Sequence, residues 1–173
     1  MEAVEDSEAL VHPPMFVHEE PERVAIFNSP DGTILREVLK HDTVEEVVVF
    51  EVDKELMELC REYFPDASDC SNIEDSEDSC FDDERTSVIY EDGKKWFVEN
   101  FPDGKKVKED DKFDVIIIEE FLAEYRKEFP EYDIPYDKVV SSLFNGLDTR
   151  LFMTLNQILL QILLMRVLQS AKN

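Results

Sequence analysis

Short apolar runs alternate along the chain with stretches in which apolar positions recur every three or four residues. The runs Val24–Phe27, Val47–Val52, Ser87–Tyr90, Val115–Ile118 and Leu151–Leu155 predict strands. The helical spacing predicts helices over Thr33–His41, Lys54–Tyr63, Lys94–Asn100, Tyr136–Asn145 and Gln157–Gln169. In the second of these, Leu56, Leu59, Cys60 and Tyr63 fall on one face, the face expected to meet a core. "VEEVVVFEV" and "FDVIIIEE" are nearly continuous in apolar residues, as strands buried on both faces must be. The alternation predicts βαβ units and an α/β fold with a doubly wound, mainly parallel sheet.

Three stretches break the pattern. Asp66–Asp92 holds eleven acidic residues and one Arg, and "DASDCSNIEDSEDSCFDDER" has no sustained apolar period. It reads as a long acidic surface loop, 66–86, before the third strand. "PDGKKVKEDDK" is a second charged connection. Neither is expected to carry chemistry. The 18-residue stretch Leu151–Leu168 approaches transmembrane length, but Thr154, Asn156, Gln157, Gln161 and Arg166 interrupt it. A strand and then an apolar helix is the expectation. The domains expected are a lead-in over 1–20, the α/β core over 21–155, and an apolar C-terminal helix over 156–173.

Charge narrows the class of partner. The chain has 173 residues, 43% of them hydrophobic, enough for one domain with a real core. Its formal net charge of -24 repels nucleic-acid phosphates and anionic membrane surfaces. Most of that charge reads as solvated surface. "MEAVEDSEALVHPP" lacks the basic and apolar regions of a signal peptide. Of three cysteines, Cys60 lies in a helical pattern and reads as core, while Cys70 and Cys80 flank the acidic loop with their pairing left open. No CxxC or His/Cys cluster points to a metal. A reducing compartment, most simply the cytoplasm, is expected.

In open α/β sheets, ligands bind beyond the carboxyl ends of the strands. Each of the first four predicted strands delivers a carboxylate there: Asp31 ahead of Gly32, Glu51 with Asp53 close by, Glu91-Asp92-Gly93, and Glu119-Glu120. Glu51 follows Asp31 by 20 residues, the interval at which nucleoside-binding units place the acid that grips ribose hydroxyls. A carboxylate accepts two hydroxyl hydrogen bonds, which suits a diol. Asp92 is placed to accept from an adenine amino group. Asp31 and Glu119 then suit a cation, or an amine that needs a base.

These residues sit in segments that resemble the polyamine aminopropyltransferases, the spermidine and thermospermine synthases. "HPPMFVHEEPERVAIFNSPDGTILREVLKHDTVEEVVVFEVDKELMELCREYFP" looks like the core of that family, and "CFDDERTSVIYEDGKKWF", "FDVIIIEE" and "SSLFNGLDTRLFMTL" continue the match, over roughly Glu8–Leu155. The resemblance implies a Rossmann-like, class I methyltransferase-like sheet. It implies a chain that lacks the family's N-terminal β domain and its C-terminal closing strands. It assigns Asp31 to the aminopropyl end of decarboxylated S-adenosylmethionine, Glu51 to ribose, Asp92 to the adenine side and Glu119 to the place of the catalytic Asp. Gly32 and Gly93 fall in the co-substrate loops, and His12 falls in a segment that lines the amine site. No further cofactor and no metal is implied.

The implied reaction is aminopropyl transfer to putrescine or spermidine. The resemblance also shows departures. Asn28, Ser29 and Pro30 stand where the family has three glycines, Glu119 is one methylene longer than Asp, and Leu122 replaces a second acid. Two alternatives therefore stand beside the enzyme: a non-catalytic member of the fold that partners an active subunit, as an oligomer of one chain or two, and a small-molecule methyltransferase.

Overall fold

The computed structural model describes residues 2–74, 76–102, 106–108, 111–118 and 145–147. Four α-helices and four strands lie within them: α1 (Glu2–Val17), β1 (Arg23–Phe27), α2 (Thr33–Leu39), β2 (Glu46–Phe50), α3 (Lys54–Tyr63), β3 (Thr86–Ile89), α4 (Gly93–Asn100) and β4 (Val115–Ile118). The expected strand Leu151–Leu155, the C-terminal helix, Glu119 and nearly all of the helix Tyr136–Asn145 lie outside the described residues.

The four strands form one parallel sheet in the order β3-β2-β1-β4. The chain steps outward from β1 to β3 and then crosses back to β4, so the direction reverses between β1 and β4. Such a reversal opens a crevice at the carboxyl ends of the two strands. Register brings all four ends level: Ile89 pairs with Phe50, Phe50 with Phe27, and Phe27 with Ile118.

Strand side chains alternate between two cores, as the pleat requires. Val24, Ile26, Val47, Val49, Val115 and Ile117 pack with Ile34, Leu35, Val38 and Leu39 of α2 and with Val11 and Met15 of α1. Ala25, Phe27, Val48 and Phe50 pack on the other face with Phe97, Phe101 and Phe113. Both faces are covered, which explains the unbroken apolar runs of β1, β2 and β4.

The lead-in, assigned no element above, is largely helix: α1 runs to Val17 through Pro13 and Pro14. Proline disfavours a helix interior, so local sequence argues against this. Val11 and Met15, four residues apart and both buried, tie one side of the helix to α2 and the sheet. The expected inner face of α3 is mostly outside: Leu56, Leu59 and Tyr63 are 44%, 51% and 66% exposed, Cys60 is half-buried, and Met57 is the residue that enters the core. β3 ends the sheet order, and no further strand among the described residues extends the floor beneath α3. The acidic loop is partly core. Cys70 and Cys80 form a disulfide and are fully buried with Phe81 beside them, and Asp83 is buried as well.

Candidate functional site

The turn after β1 is built around two left-handed residues. Asn28 has φ 59° and donates its amide to Phe50 O at 3.0 Å. Asn is among the few non-glycine residues that adopt this conformation readily. Gly32 has φ 80° and no room for a side chain: a Cβ there would lie 2.7 Å from Ser68 Cβ and 2.8 Å from a Phe81 ring carbon. Between them, Asp31 Oδ1 accepts from Thr33 N at 3.1 Å and from Thr33 Oγ1 at 3.0 Å, which fixes the entry to α2. Ser29 is fully buried and its hydroxyl has no partner.

Glu51 follows the last residue of β2. It is 3% exposed, and its amide donates to Ile89 O at 3.0 Å. Its two carboxylate oxygens differ. Oε1 accepts from Asp53 N at 2.9 Å, whereas Oε2 is buried without a partner. Burial pushes the Glu51 pKa up, and hydrogen bonds from the Asp53 and Val52 amides oppose that rise. An unmatched carboxylate oxygen at a strand end costs stability in the free protein. It also leaves an acceptor ready for a hydroxyl.

The other acids have structural duties. Asp53 caps α3, accepting from Leu56 N at 2.9 Å. Asp92 caps α4, accepting from Lys94 N at 2.8 Å and Lys95 N at 3.2 Å. Gly93 opens α4 where a Cβ would meet Phe27 and Phe50 at 2.9 Å, so its lack of a side chain serves packing under the strand ends. Cys60 sits within electrostatic reach of the same edge: burial raises its thiol pKa, and the charges of Asp31 and Glu51 raise it further.

His12 is placed elsewhere. Its Nδ1 lies 3.0 Å from His41 Nε2, and its Nε2 lies 3.4 Å from Glu37 Oε2. His41 follows the C-terminal end of α2 and Asp31 precedes its start, so the length of α2 separates His12 from the Asp31 turn. In this structure His12 makes an α1–α2 contact. The sequence reading also missed two buried acids. Glu37 is fully buried and is held by Lys40 at 2.6 Å and Arg36 at 3.2 Å. Asp83 accepts from Arg85 N, Nε and Nη2, each at 2.9 Å. The Asp-x-Arg spacing inside "FDDER" was the available signal for that second pair.

Among the described residues no group of His, Cys, Asp and Glu is arranged to hold a metal ion, and no helix is long and apolar enough to cross a membrane.

A family profile described as Spermine/spermidine synthase domain matches residues 4–146. The polyamine aminopropyltransferase of Caldicellulosiruptor bescii is 38% identical over 112 residues, covering 65% of this chain and 34% of that protein. Polyamine aminopropyltransferase 1 of Hyperthermus butylicus is 39% identical over 112 residues, with 65% and 33% covered. The crystal structure of spermidine synthase from Thermotoga maritima superposes with a TM-score of 0.60 at 30% identity, covering 84% of this chain and 40% of that one. A spermidine synthase in complex with the transition-state analogue AdoDATO gives a TM-score of 0.58 at 30% identity over the same shares. The chain spans about a third of the length of the curated relatives it matches.

Proposed function

The chain belongs to the spermine/spermidine synthase domain family, and from that premise we propose that it binds the nucleoside part of decarboxylated S-adenosylmethionine at the carboxyl edge of its sheet. Aminopropyl transfer to putrescine or spermidine, of the spermidine or thermospermine synthase type, is the reaction this binding would serve. The observation that supports the reading most is Glu51. One oxygen is tied to the Asp53 amide and the other is buried without a partner, at the 20-residue interval from Asp31 that suits a ribose-binding acid. Asp92 faces the adenine side in this reading and Asp31 the aminopropyl end, each with one oxygen already engaged by the backbone.

In the transfer, a neutral amine attacks the carbon beside the sulfonium. The new C–N bond forms as the C–S bond breaks, and the electron pair returns to sulfur. Methylthioadenosine leaves, and the proton of the new ammonium passes to a base. Glu119 is proposed as that base from its place after β4, since a carboxylate there suits the task. A cytoplasmic setting belongs to the same proposal.

Isothermal titration with methylthioadenosine tests the binding reading. Carboxylate-to-hydroxyl bonds contribute about 1.5–3 kcal/mol, so Glu51→Ala should weaken binding roughly 10- to 100-fold. Equal binding by the parent and the variant would remove the ribose assignment.

A second reading, a non-catalytic member that binds ligand as a partner subunit, is favoured by the turn itself. Pro30 offers no amide, and Ser29 replaces a glycine with a buried side chain. Methylthioadenosine release from decarboxylated S-adenosylmethionine with either amine separates the two. Turnover abolished by Glu119→Gln supports the enzyme, and binding without turnover supports the partner subunit.

A further inference from the structure

The Cys70–Cys80 bridge lies behind the turn that carries Asp31 and Gly32. Ser68 stands two residues before Cys70, and Phe81 directly follows Cys80. Those two side chains are the wall against which Gly32 is pressed, at 2.7 and 2.8 Å from the position of a Cβ. The disulfide therefore joins the two halves of that wall. Both cysteines are fully buried, and Ser68 and Phe81 are 3% and 7% exposed.

The segment between the cysteines pulls the other way. Ser71–Ser79 holds four acidic residues and no basic one, and its mutual repulsion favours opening. Contacts within the segment oppose that. Cys70 N donates to Asp78 O at 3.0 Å, Ile73 N to Cys70 O at 2.9 Å and Ser76 N to Ile73 O at 3.2 Å, Asp69 forms an isolated bridge with Ser79, Arg85 Nη2 donates to Ser76 Oγ at 2.9 Å, and Ile73 packs against the core. Arg36 Nη1 reaches Asp66 O at 3.0 Å from α2. A covalent cross-link limits how far Ser68 and Phe81 can separate.

We propose that the Cys70–Cys80 pair is a redox-controlled brace of the nucleoside site: oxidised, it holds Ser68 and Phe81 against the Asp31–Gly32 turn, and reduced by a dithiol it releases that turn and weakens ligand binding. The binding half of this statement rests on the nucleoside reading above. In the exchange, a reductant thiolate attacks one sulfur and the S–S bond breaks. The other sulfur leaves as a thiolate and takes a proton from solvent. The second reductant thiol then displaces the remaining protein thiol and closes its own disulfide. Two electrons and two protons pass to the protein. Because both cysteines are buried, exchange needs the acidic segment to open first. A ligand that holds the turn slows that opening. By linkage, the factor by which reduction weakens binding equals the factor by which ligand disfavours reduction.

The test compares three forms of the full chain: oxidised, reduced with dithiothreitol, and Cys70→Ser/Cys80→Ser. Thiol titration after denaturation confirms the state, one thiol (Cys60) when bridged and three when reduced. Amide hydrogen exchange needs no ligand. Protection over 28–35 should fall about tenfold on reduction, within the usual range of coupling between linked sites, while Ile26 and Val49 stay protected. Methylthioadenosine affinity should fall by a similar factor, and saturating methylthioadenosine should slow reduction. Unchanged exchange over 28–35 would overturn the proposal. So would loss of protection throughout β1 and β2, because the bridge would then be a global staple. If the oxidised chain binds no methylthioadenosine, the nucleoside reading fails and the brace stands or falls on exchange alone. If the serine variant does not fold, the reduced parent decides.

Discussion

Glu51 carries the conflict between stability and binding in one side chain. Burial raises its pKa, so the native state holds its proton more tightly than the unfolded chain does. Such a group stabilises the fold as pH falls through the raised value and costs stability once ionised. Glu51→Gln should therefore melt at a higher temperature than the parent at pH 7 while binding methylthioadenosine more weakly. Calorimetry and titration on the same samples check both. A lower melting temperature would mean that the charged form is better matched than its orphaned oxygen suggests. Gly32 is constrained differently. Its φ of 80° and the 2.7 Å approach of Ser68 leave no place for a methyl group. Gly32→Ala should cost about 2 kcal/mol in chemical denaturation, from left-handed strain and the contact together. Asn28 meets a similar backbone need without glycine.

α1 is held to α2 by titratable contacts. His12 and His41 share a hydrogen bond, Phe16 stacks edge-on to His41, and Glu37 lies beneath with Arg36 and Lys40. His41 has its pKa lowered by burial first and by the charge of His12 second, with Asp42 and Glu37 acting in the opposite direction. A lowered histidine pKa stabilises the docked state fully above the unfolded value of 6.5, and that stability is lost as pH falls from there toward the folded pKa. Docking of α1 should thus weaken below about pH 6.5. Amide exchange over 7–17 as a function of pH measures this, and His41→Asn should flatten the dependence. α3 shows the reverse relation between sequence and packing. Its apolar side is written as clearly as that of α2, yet most of it faces outward.

For the molecule as a whole, a formal charge of -24 sets the response to salt and acid. Self-repulsion of that size is screened as ionic strength rises. The melting temperature should climb by several degrees between roughly 10 mM and 0.5 M sodium chloride, and a flat profile would show that the charges are already paired or dispersed. Acid acts through Asp83. Burial would raise its pKa, but the hydrogen bonds and charge of Arg85, with Ser76, hold it down to about 2 from 3.8. The depressed carboxylate contributes stability above its unfolded value that disappears as pH falls from about 4 to about 2. A shift of that size corresponds to about 2 kcal/mol at most. Asp83→Asn should remove this acid limb from a pH series of denaturation midpoints.

The sequence by itself determined the β1–α2–β2–α3–β3–α4–β4 order, the parallel sheet and the acid at its carboxyl edge. Those features rest on local signals: unbroken apolar runs where both faces are buried, period-3.6 stretches between them, and the interval from Asp31 to Glu51. Four other features depend on contacts that periodicity does not report. Val11 and Met15 find α2 and the sheet, so α1 forms through two prolines. Nothing among the described residues covers Leu56, Leu59 and Tyr63, so an amphipathic pattern ends in exposure. Cys70 meets Cys80 inside a segment whose composition reads as solvent-facing. His12 meets His41 across 29 residues. Periodicity reports which face of an element is apolar. Only tertiary contact decides what that face meets, because partner choice depends on the elements brought alongside it.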